Sequence, residues 1–250
     1  MADNQFGLIT RPTNDPAMAV WEQEGWKEAP VPVYQLMNFA ALENASGGMA
    51  LMTNGLREFE VISSQGNEER DTFALTLLRG VGTLGKEELL LRPGRPSGIK
   101  IPTPDSQTRG KLVCEFALFG YAGDHISANI MAEARDNVTP IQCYNKIPYN
   151  AMKLNVGEQN LPLTYSLLSK EKRGVVLSVL KKAEDEQGLV LRVYNPAESG
   201  DVEDAVSFNL PVSSWQQVSM DEQPLDAVSA TETGFGAVKP CQAKSFLVKF

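Results

Sequence analysis

Histidine is almost absent from this chain, because His125 is the only one among its 250 residues. Zinc sites that depend on two or three histidines cannot be assembled from a single imidazole. A triad of serine, histidine and aspartate would have to use His125 as its base. The CxxC and HExxH signatures are also missing, and GVGTLGK (80–86) resembles a phosphate loop without a helix predicted after it. We therefore predict no catalytic residue and no metal ligand here.

Basic charge and long apolar runs are scarce as well. The chain has 23 basic and 31 acidic residues and a net charge of −8. This balance argues against nucleic acid and anionic membranes as partners, since both attract basic surfaces. No run approaches the roughly 18 apolar residues of a membrane span, and the first residues lack a signal-peptide pattern. Three widely spaced cysteines are typical of a reduced, cytoplasmic protein, which we predict.

What the sequence does contain is a succession of short strand-like segments between Gly, Pro and Asn. LREFEVIS (56–63) has the period-2 pattern of a half-buried strand, in which Leu56, Glu58 and Glu60 alternate with Arg57, Phe59 and Val61. DTFALTLLRGVG (71–82) predicts a longer apolar strand. In the last third, DVEDA (201–205) and VSATETGFG (228–236) predict polar connections between strands. The predicted strands there are VVLSVLKKAED, LVLRVYNP, DAVSFNLP, WQQVSM and KSFLVKF.

One helix is predicted, over GDHISANIMAEARD (123–136), with Asp124 as its cap and Ile126, Ile130, Met131 and Ala134 on one face. Strands and helices do not alternate, so the sheets should be antiparallel. We predict a mostly β structure with one short helix. Residues 1–150 would form part of a large antiparallel β-sandwich, and residues 151–250 a smaller immunoglobulin-like β-sandwich.

Two polar clusters invite a catalytic interpretation. Glu184, Asp185 and Glu186 could supply carboxylates, but glycoside hydrolysis needs two carboxyl groups facing each other, ~5–9 Å apart. Three adjacent acids in a turn point into water, so a solvated hairpin turn is the simpler interpretation. Asp124 and His125 could shuttle a proton. At the start of a predicted helix they fit better as a cap and an exposed ring.

A long loop over residues 92–110 is the most informative segment. It is rich in proline and glycine, and loops of this length inside compact domains more often carry function than not. Arg92, Arg95 and Arg109 lie in it with Asp105 and Gln107, and guanidinium groups suit carboxylates and sugar hydroxyls. Alternatively, the arginines pair with acidic neighbours and fasten the loop. Outside the loop, Trp21, Trp26 and Tyr34 could stack on sugars or pack in a core.

Several segments together resemble the C-terminal β-region of glycoside hydrolase family 38, the α-mannosidases. The similarity is greatest to the bacterial branch that includes mannosylglycerate hydrolases. The matching segments occur in the family's order and cover most of residues 40–196. They are MALMTNGLREFEV, DTFALTLLRGVGTLGK, RPGRPSG, TPDSQTRG and VVLSVLKKAEDEQGLVLRVYNP.

The resemblance implies what each part of the protein does. The large sandwich would be of the galactose-mutarotase-like kind, and the chain would be a fragment, inactive alone, that lacks an N-terminal catalytic barrel. That barrel would hold zinc or another divalent metal and an aspartate nucleophile for a retaining mechanism. This chain would support the barrel and wall the cleft for an α-mannoside, mannosylglycerate being one candidate. Arg92, Arg95, Asp105 and Gln107 are the predicted substrate-binding residues.

Two other functions stay open at this point. A stand-alone carbohydrate-binding β-module would bind sugar without catalysis. An enzyme resembling aldose mutarotase would ordinarily need two histidines with a carboxylate, and one histidine counts against it. If residues 1–150 normally pack on other domains, we also expect an exposed apolar patch, which self-association into a homo-oligomer would cover.

Overall fold

The computed structural model describes residues 1–63, 71–143, 162–170, 172–229 and 233–250. Within these ranges strands predominate, they pair antiparallel, and the α-helices are α1 (Ala17–Val20) and α2 (Ile130–Val138). The predicted antiparallel β fold is confirmed. Neither helix of the described ranges has the length and hydropathy that crossing a membrane requires.

The chain divides into two compact units. Unit 1 comprises Met1–Gln5 and Ile9–Ala128, and unit 2 comprises Phe6–Leu8 and Asn129–Phe250. The domain boundary that we predict at residue 150 lies outside the described residues and stays a prediction.

Eight strands come first in the chain, and all of them except Gly7–Ile9, which lies largely in unit 2, build unit 1 around two sheets. They are β1 (Ala2–Asn4), β2 (Gly7–Ile9), β3 (Val33–Gln35), β4 (Phe39–Asn44), β5 (Gly47–Thr53), β6 (Glu58–Ile62), β7 (Thr72–Leu75) and β8 (Phe116–Ala122). Strands β1, β4, β5 and β8 are successive neighbours in one sheet, and β3, β6 and β7 form the other. Ala2 and Ala40 from the first sheet share a buried cluster with Phe59 and Val61 from the second. The alternation predicted for LREFEVIS is therefore confirmed.

Two predicted elements among residues 71–138 differ from the structure in extent. The long strand expected over 71–82 ends at Leu75, and Leu77 and Leu78 beyond it are exposed. Apolar character alone does not make a strand, because a strand needs a neighbour to bond its backbone. The helix expected from Asp124 begins only at Ile130, since Asn129 has φ 55° and Asp124 instead caps a turn through the amides of Ile126 and Ser127.

The remaining eight strands build unit 2. They are β9 (Leu168–Ser169), β10 (Val176–Lys182), β11 (Leu189–Tyr194), β12 (Val202–Ala205), β13 (Ser207–Phe208), β14 (Ser214–Val218), β15 (Gly234–Val238) and β16 (Ala243–Lys249). The main sheet has the order β10-β11-β16-β14, with β12 paired to β15 and β13 paired to β9. Its core stacks Trp215 on Phe246, with ring centroids 4.6 Å apart, and Phe235 packs against both rings.

The segments DVEDA and VSATETGFG are not mere polar connections, which corrects the prediction. Strand β12 lies within DVEDA, and strand β15 begins in VSATETGFG. The two strands pair through Val202 and Val238. Phe235, between two glycines, is buried in the aromatic core. Its flanking glycines lower the β propensity, but burial of one phenylalanine ring outweighs that cost.

Candidate functional site

The 92–110 loop is held in place by bonds to the segment just before it. Residues 82–86 and 97–103 exchange backbone hydrogen bonds at three points, each with a length of 2.9 to 3.0 Å. The hydroxyls of Thr103 and Ser106 both donate to the carbonyl of Val81, at 2.9 and 2.8 Å. The loop thus has a defined path with only isolated bridges, as its proline and glycine content predicts.

The four predicted substrate-binding residues lie apart along this loop. Arg92 Nε is 3.2 Å from Glu28 Oε1, and the amide of Ala29 donates to the Leu91 carbonyl, so the start of the loop is fastened to residues 28–29. Arg95 is exposed. Asp105 and Gln107 lie in a 3-10 turn over Pro104–Gln107. Among the residues that the structure describes, no hydrogen bond or ion pair joins any of the four to another.

Arg92 therefore fits the alternative in which an arginine fastens the loop, whereas Arg95 stays available to a ligand. Arg92 also borders a cavity of about 540 Å³ whose walls are largely apolar. The other lining residues are Glu28, Ala29, Val31, Leu89, Leu90 and Leu91. The substrate-binding role of the four loop residues stays a prediction.

The acidic turn at 184–186 is the hairpin between β10 and β11, as predicted. Lys182 Nζ lies 2.9 Å from Glu186 Oε1, and Asp185 Oδ1 accepts from the amide of Gln187 at 2.9 Å. These carboxylates are exposed and pair locally, so they do not converge on a point where a glycosidic bond could lie.

A residue that the sequence did not reveal completes this hairpin. Glu222 lies 2.7 Å from Lys181 Nζ and accepts from the amide of Glu184 at 2.8 Å. The bond from Lys181 holds the pKa of Glu222 below its ordinary value, and bonds to Glu184 and Glu222 raise the pKa of Lys181. No local pattern could have indicated this contact, because about forty residues separate its two sides.

The prediction of an exposed His125 ring is wrong. Its side chain is 17% exposed, and Nδ1 lies 2.9 Å from Oε1 of Glu43. Tyr121 donates its hydroxyl to the same carboxylate at 3.1 Å, and burial together with this bond raises the pKa of Tyr121. Asp124 caps a turn through the amides of Ile126 and Ser127 and not the predicted helix, and its bonds to Ser127 lower the pKa of its carboxyl group.

The tryptophans and Tyr34 divide between surface and packing. Trp26 is exposed and donates its Nε1–H to Glu24 at 2.8 Å. Tyr34 packs on Phe59, with ring centroids 6.0 Å apart, and Arg11 lies 5.3 Å from the centre of its ring. Burial raises the pKa of the Tyr34 hydroxyl. Within the described ranges, no group of three or more His, Cys, Asp or Glu residues is placed to hold a metal ion.

Two family models match this chain, one in each half. Residues 1–83 match the glycosyl hydrolases family 38 C-terminal domain, and residues 174–246 match the glycosyl hydrolases family 38 C-terminal beta sandwich domain. Together the two matches cover more than half of the sequence. This chain belongs to glycosyl hydrolase family 38. Both matches are to C-terminal domains, so the chain corresponds to the C-terminal part of family 38 proteins, which confirms the family predicted from the sequence.

Similar proteins agree with this family. A protein of Halalkalibacterium halodurans provisionally named mannosylglycerate hydrolase is 28% identical over 201 residues, which are 80% of this chain and 18% of that protein. An α-mannosidase structure from Enterococcus faecalis matches all of this family 38 chain with a TM-score of 0.72 and 18% identity. A second family 38 structure from that organism has a TM-score of 0.70 and 16% identity. The chain spans about a fifth to a quarter of these proteins.

Proposed function

We propose that this chain is the C-terminal β-region of a retaining α-mannosidase, where it supports a catalytic barrel and walls the substrate cleft. The family membership and the curated relative support this proposal. A mannosylglycerate-like α-mannoside is the substrate we propose, because the curated relative carries that name. The metal and the nucleophile would belong to the barrel, and this chain would hold the barrel in position.

A set of exposed apolar side chains in unit 1 is the observation that supports a packing role. We call it the 77–118 apolar set, and Leu90, Ile99, Val113 and Leu118 are exposed by 92%, 70%, 76% and 62%. The other members are Leu77, Leu78, Val81, Leu84, Leu91, Ile101, Leu112 and Phe116. Burying one such side chain is worth about 1.5–3 kcal/mol, so a set of this size favours contact with another domain.

Strand β8 contributes to this set in a regular way. Its residues alternate between exposed and half-buried, and Phe116 and Leu118 lie on the exposed face. β8 is an end strand of its sheet among the described residues. An exposed apolar face on an end strand is the kind of surface that a neighbouring domain covers in a multidomain protein.

The experiment compares two proteins for hydrolysis of mannosylglycerate and of an aryl α-mannoside. One joins this chain to an N-terminal family 38 barrel, and the other is this chain alone. We expect the joined protein to hydrolyse an α-mannoside with retention of the anomeric configuration, and this chain alone to be inactive. Turnover by this chain alone would contradict the proposal.

Two further measurements separate the alternatives. Calorimetric binding of mannosides by the isolated chain would favour a stand-alone carbohydrate-binding module. A fluorescent dye that binds exposed apolar surface should bind the isolated chain and be excluded from the joined protein. A monomeric isolated chain without dye binding would contradict the proposed packing role of the 77–118 apolar set.

A further inference from the structure

Unit 2 contains a cleft with an unusual concentration of basic side chains. The cleft has a volume of about 440 Å³, within the ~300–1,000 Å³ of small-molecule sites. Helix α2 forms one wall, and Lys170, Lys172 and Arg173 with the start of β10 form the other. The lining residues with basic side chains are Arg135, Lys170, Lys172 and Arg173, and Asp136 is the acidic one.

The bonds of these side chains decide how much positive charge the cleft presents. Lys170 forms an ion pair with Asp204 at 2.6 Å, in which the carboxylate is 2% exposed. The carboxylate therefore compensates the positive charge of this lysine. Lys172 Nζ donates to the carbonyl of Glu203 at 3.1 Å, a neutral acceptor that does not compensate its charge. Among the described residues, no carboxylate forms an ion pair with Lys172, Arg135 or Arg173. Among the lining residues that the structure describes, three unpaired cations therefore face a single carboxylate, in a chain whose net charge is −8.

The lysines of the β10–β11 hairpin, in the same unit, have a purely structural role. Lys181 and Lys182 each have a carboxylate partner, at 2.7 and 2.9 Å. In the cleft, by contrast, Arg135, Lys172 and Arg173 have no carboxylate partner among the described residues, and like charges gathered in this way cost free energy unless an anion is bound.

The rest of the lining suits an organic ligand. Val176 and Leu177, half-buried on β10, and Ala132 on α2 add apolar surface beside the charges, and Asn129 adds an amide. An arginine presents a planar fork that binds two oxygens of one phosphate or carboxylate group. The cleft thus combines basic side chains that can bind an oxyanion with room for the uncharged part of a small molecule.

We propose that this cleft binds a small organic molecule that carries a phosphate or carboxylate group, with Arg135, Lys172 and Arg173 contacting the oxyanion. Lys170 does not bind the ligand, because its pair with Asp204 holds the wall in place. Family 38 membership does not assign such a site, and the proposal does not depend on the activity of the barrel.

The test titrates the 250-residue chain at low salt with glucose 6-phosphate, glucuronate, inorganic phosphate and neutral glucose, followed by calorimetry and by amide NMR shifts of residues 172–177. We expect saturable binding of at least one organic anion, weakened by added salt, and no binding of glucose. The stronger of the phosphate and carboxylate probes identifies the group. Equal affinity for inorganic phosphate and for both organic anions would overturn the claim that the ligand is an organic molecule.

Variants tie the binding to the cleft. Arg173→Gln removes a charge-assisted hydrogen bond, so we expect the dissociation constant to rise about tenfold or more. Arg173 is exposed, so this variant should fold, and its circular dichroism checks that. Lys239→Gln, an exposed lysine outside the cleft, is the matched control and should bind as the unmodified chain does. No saturable binding of any anion, or equal weakening in the control, overturns the proposal.

Discussion

Glu222 lies 2.7 Å from Lys181 and also accepts from the amide of Glu184, so one carboxylate ties the β10–β11 hairpin to the turn after β14. The acidic turn is thereby a structural feature that joins two connections of unit 2. Its carboxylates stabilise the hairpin and are not arranged for acid–base chemistry.

Replacing Glu222 by glutamine should lower the melting temperature slightly, in a pH-dependent way. The pKa of Glu222 is lowered in the folded chain, so its contribution is present above the unfolded pKa and disappears as pH falls through the folded value. The pKa of Lys181 is raised, so its contribution fades only as pH rises through its folded value. Melting curves from pH 2 to 8 should show the two proteins converging below about pH 4.

A difference that persists unchanged at pH 2 would refute this account. Asp221→Asn, next along the chain, is the control.

Asp3 should be essential to unit 1, because its buried carboxylate accepts from several donors in one turn. Oδ1 accepts from the amides of Met37, Asn38 and Phe39, at 2.9 to 3.0 Å, and Oδ2 accepts from the side chain of Asn38 at 3.0 Å. Asp3→Asn replaces an acceptor by an NH₂ group that faces donors. We expect about 1–3 kcal/mol less unfolding free energy, measured by urea denaturation.

A matched change supplies the control for Asp3. Asp185→Asn alters an exposed carboxylate whose hydrogen bond, within the described part of the chain, comes from the nearby amide of Gln187, so its effect should stay within about 0.5 kcal/mol. Equal stabilities of the two variants would show that the Asp3 bonds do not support the turn at residues 37–39.

Arg95 is the loop residue that best tests the predicted cleft role, since Arg92 already has Glu28 as a partner. In a protein that joins this chain to a family 38 barrel, Arg95→Ala should lower kcat/KM for mannosylglycerate about tenfold or more. It should have less effect on an aryl α-mannoside, which lacks the carboxylate. An unchanged kcat/KM for mannosylglycerate would remove Arg95 from the site. Arg109→Ala, exposed in the same loop, is the comparison.

Local sequence patterns predicted the features that depend on neighbouring residues. The alternation in LREFEVIS predicted a half-buried strand, whose Phe59 and Val61 are buried in the structure, and the acidic residues at 184–186 predicted a hairpin turn. The ordered segments between residues 40 and 196 indicated family 38, which the two family models confirm. Each of these predictions uses chain periodicity or order, which a sequence contains directly.

Contacts between distant parts of the chain were not predictable in the same way. Glu43 lies 82 residues from His125 and holds its ring, and Lys170 pairs with Asp204, 34 residues further along the chain. Strand β7 ends at Leu75 despite the apolar residues after it, because hydrogen-bonding neighbours set a strand's length. The sequence by itself determined the antiparallel β class, the family and the scarcity of histidine. Tertiary structure decided which charges are paired and which apolar side chains stay exposed, since both depend on contacts that folding brings together.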